Sequence, residues 1–203
     1  MMLAIIAGIY ALAAGYTNLI TEPGAGDFLS RKIGWSKAPH VPVWLTVMHV
    51  HVIAAALATL AGALNFIRPI LRKHPRFHRV NGYLYVAAVM IVDLTSGYMA
   101  PYATGGKVTS IAFNFMNLIW VAVTLAAIVQ IRRKRVENHR KWMIRSYVFC
   151  FTNLFIHGVR TLLHDGFGVA YPTCYTIGVY AAIVLIFIAA EIAIRAGFAR
   201  VRG

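Results

Sequence analysis

The sequence predicts an all-α integral membrane helical bundle with six transmembrane helices. Three observations lead there. Hydrophobic residues make up 60% of the chain and charged residues only 13%, about half the charged share of a soluble domain. Mean hydropathy is +0.67. Apolar stretches of about twenty residues recur at 2–20, 42–67, 80–101, 109–131, 142–163 and 174–195, and each is long enough to cross a bilayer. Lipid leaves no partner for an unpaired backbone group, so each span is helical. Spans two to five make the expected four-helix core, about 45–165, flanked by helices 2–20 and 174–195. Almost nothing remains for a soluble domain, so a single membrane domain over 1–203 is expected.

Span one has no Lys or Arg ahead of its apolar part, so it reads as a retained helix rather than a signal peptide. Its small residues Ala4, Gly8, Ala11 and Gly15 recur at spacings of three or four and would let another helix approach closely. A segment punctuated by Gly and Pro, 21–40, follows on the outer side. Span two carries His49 and His51. The stretch RKHPRFHRVNGY, with His74 and His78, reads as a loop before span three, and span three carries Asp93. Span four carries Asn114 and Asn117. Span five carries His139, Ser146, Cys150, Asn153, His157 and His164, which at 100° per residue form one polar stripe. A lipid-facing helix would not tolerate that stripe, so it is expected to face the interior. Near the end of span six, Glu191 and Arg195 have the spacing of an i,i+4 ion pair.

The net charge of +14 is placed by topology. Fifteen of the twenty Lys and Arg fall between spans two and three, around the join of spans four and five, and at the C-terminal end. The positive-inside rule then puts both termini and the basic loops in the cytoplasm. These basic loops are short and have no stacking platform for bases, so the expected partner is the lipid bilayer and not nucleic acid. A larger membrane complex or a homo-oligomer is a further expected partner. Cys150 and Cys174 make no disulfide framework and no zinc-type pair.

Ionisable groups inside spans cost roughly 2.5–3.5 kcal/mol each, so they are functional candidates by default. Counted at 1.5 Å per residue, His51, Asp93, Asn114 or Asn117, Asn153 and His157 share one slab in the outer half of the core. His49 and His51 are about 200° apart on the wheel and cannot point into one site. The His51 face continues through the small residues Ala54, Ala55, Ala58 and Gly62, which favours His51 as the inward ring. On the cytoplasmic side His78 and His139 stand beside Arg79, Arg140 and Arg145. Imidazole is the side chain that most readily binds haem iron, copper or zinc. The first expectation is therefore a b-type haem protein in electron transfer, with His51 and His157 as axial ligands in the outer half. His78 and His139 could hold an inner haem, with the three arginines on its propionates. Asp93 would orient a ligand ring or relay a proton. Two alternatives stay open. One is a non-haem copper, iron or zinc site in a membrane oxidoreductase. The other is an accessory or assembly subunit of a larger complex, in which the polar groups form a structural network.

The stretches MHVHVIAAALATLAGALNF, RKHPRFHRVNGYLY and NHRKWMIRSY carry a resemblance. Over roughly 45–165 the chain resembles a bacterial family of predicted membrane proteins catalogued as domain of unknown function 2306. The recurring features of that family fall on His51 with Gly62, on His74, His78 and Arg79, and on His139, Arg140, Trp142, Met143, Arg145 and Ser146. The family usually has Gly-Arg after the HPxxHR stretch; here Gly82-Tyr83 stands there, so no role passes over from that arginine. The resemblance implies a multi-pass protein of the bacterial inner membrane and no settled activity. At fold level the arrangement is also similar to four-helix cytochrome b proteins, an analogy of architecture alone.

Overall fold

The computed structural model describes residues 2–30 and 40–202. Residues 31–39 of the expected outer segment, with Arg31, Lys32 and Lys37, lie outside the described residues. The described residues are helical or in short connections, without strands. The chain packs as two compact units, 1–102 and 103–203. Spans two and three fall in the first, and spans four to six in the second.

In the first unit, α1 (Met2–Tyr16) runs into a single wide π-turn, Thr17–Thr21. A short α2 (Gly26–Ser30) precedes the long α3 (Val41–Asn65), which opens with Pro42 in its first turn. Next come α4 (Arg68–Lys73) and α5 (Pro75–Met99), extended by a 3₁₀ turn to Tyr102. Helices α3 and α5 are antiparallel neighbours: Asn81 reaches back to Ala61 and Asn65, while Thr95 meets His51. Ala25, Trp44 and Met48 form an apolar cluster at the other end of this pair, with Met99 and Tyr102 against it.

One expectation is corrected in this unit. The HPxxHR stretch is not a loop. Pro75 starts α5, because its fixed φ and missing N–H suit the first helical position, and His78 is therefore a helical residue. On α1 the small-residue face is the less exposed one: Ala11 is buried together with Ala7, and Ala4, Gly8 and Gly15 are half-buried, while a methyl group on Gly8 or Gly15 would meet nothing within 4 Å.

In the second unit, α6 (Gly106–Arg132) follows Gly105, whose φ of +91° sets the turn into the helix. Then α7 (Val136–Val148), a 3₁₀ turn Phe149–Phe151 and α8 (Thr152–Phe167) run on continuously, and α9 (Tyr171–Arg202) returns. Helices α6 and α7 are antiparallel through Thr124 and Ser146, whose hydroxyls are 2.7 Å apart. Gly178 of α9 packs directly on the backbone of Ile156 in α8.

Among the described residues, five helices are long and apolar enough to cross a membrane: Ala4–Thr21, Val41–Asn65, Pro75–Tyr102, Gly106–Arg132 and Tyr171–Ala196. The sixth expected span, 142–163, is helical but not one α-helix. Its α-helical hydrogen-bond ladder tightens at Phe149–Phe151, where the Thr152 hydroxyl donates to the Phe149 carbonyl oxygen at 2.6 Å. A side-chain hydroxyl competing for a backbone carbonyl commonly bends or tightens a helix in this way.

Candidate functional site

In the first unit the side chains of interest lie on α3 and α5. The Thr95 hydroxyl has one proton and donates it within its own helix, where the Ile91 and Val92 carbonyl oxygens are 2.7 and 2.9 Å away. It therefore accepts from His51, whose Nδ1–H donates to Oγ1 over 2.9 Å. In that arrangement the neutral ring carries its proton on Nδ1 and its lone pair on Nε2. His49 points elsewhere and donates from Nε2 to the Pro23 carbonyl at 2.9 Å. The His51 face of α3 buries Ala54, Ala58 and Gly62, while Ile53 and Leu60 are exposed.

Asp93 is only 8% exposed, and neither carboxylate oxygen accepts a hydrogen bond among the described residues. The side chain that hydrogen-bonds the His51 ring is Thr95, not Asp93. Sequence reading missed Thr95, although the polar run Asp93-Leu94-Thr95-Ser96 inside an apolar helix was a usable signal. His78 is half-buried in the first turns of α5, and Arg79 is exposed.

In the second unit His139 is oriented as His51 is. Its Nδ1–H donates to the Ala127 carbonyl at 2.8 Å, which in the neutral ring places the lone pair on Nε2. Arg140 is exposed. Arg145 ion-pairs with Glu191: Nη2 lies 2.7 Å and Nε 2.8 Å from Oε1. Its guanidinium also sits 4.9 Å over the Trp142 ring, a cation–π position. The pair expected between Glu191 and Arg195 is thus corrected. Glu191 reaches across from α9 to α7, and a bridge between residues 46 apart in sequence has no local signature.

The polar stripe of span five does not survive as one face. The 3₁₀ turn resets the helical phase between α7 and α8. Ser146 is buried against Thr124, but Asn153 and His157 are exposed on α8. The expectation that the whole stripe faces the interior is therefore overturned for those two residues. His164 donates from Nδ1 to the Val169 carbonyl at 2.8 Å. Of the two asparagines of α6, Asn114 is exposed and Asn117 half-buried. Among the described residues, no three His, Cys, Asp or Glu side chains converge into a group able to hold a metal ion.

A family described as "Predicted membrane protein (DUF2306)" matches residues 48–194, well over half of the chain. The chain belongs to the DUF2306 family. No match was found among curated proteins or among solved structures. The DUF2306 match runs past the expected limit near 165 and takes in most of α9, including Glu191, the partner of Arg145. Of the residues that carried the resemblance, His51 and His139 are each held by an Nδ1–H hydrogen bond. Ser146 is buried against Thr124, and Arg145 is tied to α9. This DUF2306 chain is a membrane protein built from long apolar helices.

Proposed function

We propose that this protein binds b-type haem through helix-borne imidazoles and carries electrons within the bacterial inner membrane, with both termini cytoplasmic. The observation that carries this reading is the orientation of His51. A ligating imidazole needs its Nδ1–H anchored and its Nε2 lone pair presented, and metal-binding histidines usually donate the other ring N–H to a fixed acceptor. Thr95 supplies that acceptor for His51, and the Ala127 carbonyl supplies it for His139. The candidate ligands are His51 and His78 in the first unit and His139 and His157 in the second; among these four, His51 and His139 are held by Nδ1–H hydrogen bonds. Bound haem would supply one-electron cycling of iron between its ferric and ferrous states. Thr95 and the Ala127 carbonyl hold the rings in one tautomer, and the apolar helices exclude water around them. Arg145, engaged with Glu191, braces α7 against α9.

The test is haem content, measured as pyridine haemochrome on protein expressed with haem supplied. His51→Ala and His139→Ala should each remove at least half of the bound haem. Thr95→Val should weaken retention by about ten- to a hundredfold, the usual effect of losing an outer-shell partner. Haem content unchanged by both histidine substitutions sinks the reading. The same imidazoles also suit iron, copper or zinc, and elemental analysis of the same samples separates that alternative.

A second reading is favoured by the self-contained polar contacts. Asn81 with Asn65 and Ala61, Thr124 with Ser146, and Arg145 with Glu191 are each satisfied inside one unit. Such contacts serve an accessory or assembly subunit whose polar groups only lock helices together. On that reading, native mass spectrometry from mild detergent finds the chain in a larger complex. Detection of the free chain alone, with haem bound, contradicts it.

A further inference from the structure

The elbow between α4 and α5 concentrates positive charge with nothing to balance it. Arg72 and Lys73 end α4, and Arg76 and Arg79 stand in the first turns of α5. All four side chains are exposed, and none makes an ion pair among the described residues. The sequence holds no Asp or Glu between Asp27 and Asp93, so no acid of this region is available to pair with them. The first turn of α5 has no acidic residue either, although cations there oppose the helix macrodipole. Two large apolar side chains lie among the cations and are turned outward: Leu71 is 50% exposed and Phe77 48%. Cations interleaved with an exposed leucine and an aromatic ring, at the end of membrane-spanning helices, match the chemistry of the headgroup boundary. Apolar groups there enter the acyl region while Lys and Arg meet phosphates.

We propose that the α4–α5 elbow is a binding surface for anionic phospholipid headgroups. Arg72, Lys73, Arg76 and Arg79 pair with the lipid phosphodiester charge, while Leu71 and Phe77 seat the elbow in the bilayer boundary. The surface is separate from the oriented imidazole of His51, and lipid preference and haem content are read by different measurements.

The test uses the full chain reconstituted in phosphatidylcholine vesicles, probed with spin-labelled phosphatidylglycerol and spin-labelled phosphatidylcholine. The wild-type chain should immobilise phosphatidylglycerol in preference, and high salt should collapse that preference. Neutralising all four cations to glutamine should cut the preference by at least about fivefold, since each cation near a charged bilayer surface contributes about that factor. The pair Arg72→Gln and Lys73→Gln, on α4 alone, should cut it in part and keeps the test open if the fourfold variant fails to fold. Replacing the three arginines with lysine keeps the charge and should retain the preference. Equal immobilisation of the two lipids by the wild-type chain overturns the proposal, as does a preference unchanged in the neutralised variants.

Discussion

Replacing Gly178 with alanine should lower the melting temperature of the detergent-purified protein by roughly 5–10 °C, about 2–3 kcal/mol. A methyl group at this position of α9 would lie 2.8 Å from the Ile156 carbonyl oxygen and 3.6 Å from its carbonyl carbon and Cα. The obstacle is backbone, so no side chain can swing aside. Helices α8 and α9 must separate, and every contact along their interface loosens. The higher helix propensity of alanine offsets only about 1 kcal/mol of that cost. Gly158→Ala is the matched control in α8, where the added methyl meets nothing within 4 Å. It should hold or raise the melting temperature. A Gly178→Ala protein as stable as the wild type would contradict the close α8–α9 packing.

Gly105→Ala should be of similar size, about 2–4 kcal/mol, for two reasons that add. At φ +91° an L-residue with a side chain is strained, a penalty of about 1–2 kcal/mol. The added Cβ would also overlap the hydroxyl oxygens of Thr109 and Thr176 and come within 3.4 Å of the Pro172 carbonyl. Those hydroxyls form a chain, with Thr109 and Thr176 2.7 Å apart and Thr176 donating to Pro172 at 2.9 Å. That chain ties the start of α6 to the start of α9, so pushing it apart costs polar contacts as well as strain. Thermal melts should show the loss, and adding Thr176→Ala should recover part of it by removing one of the overlaps. Full stability in the single variant would contradict the tight turn.

What the sequence reveals depends on how far apart the interacting groups lie. Long apolar runs announce membrane helices because their physics is compositional, and the spans at 42–67, 80–101, 109–131 and 174–195 each correspond to one long helix. The break at Phe149–Phe151 is hidden because it turns on one threonine hydroxyl choosing a backbone carbonyl over solvent. That choice also resets the helical wheel, so a stripe extrapolated through it loses its phase at Asn153 and His157. Pro75 was readable as a helix start from its position alone. Arg145 and Glu191 were each visible as charges, yet only the packing of α7 on α9 makes them partners. In the same way His51 was conspicuous in sequence, while its hydrogen-bond acceptor lay 44 residues away on α5.

The account's central claim is that oriented imidazoles in this membrane protein serve as haem ligands. The most direct measurement is the visible absorption spectrum of the purified full-length protein, expressed with haem supplied and recorded oxidised and then dithionite-reduced. The account predicts a Soret band that shifts on reduction, with sharpened α and β bands of a six-coordinate b-type haem. A featureless visible spectrum in both redox states would contradict it.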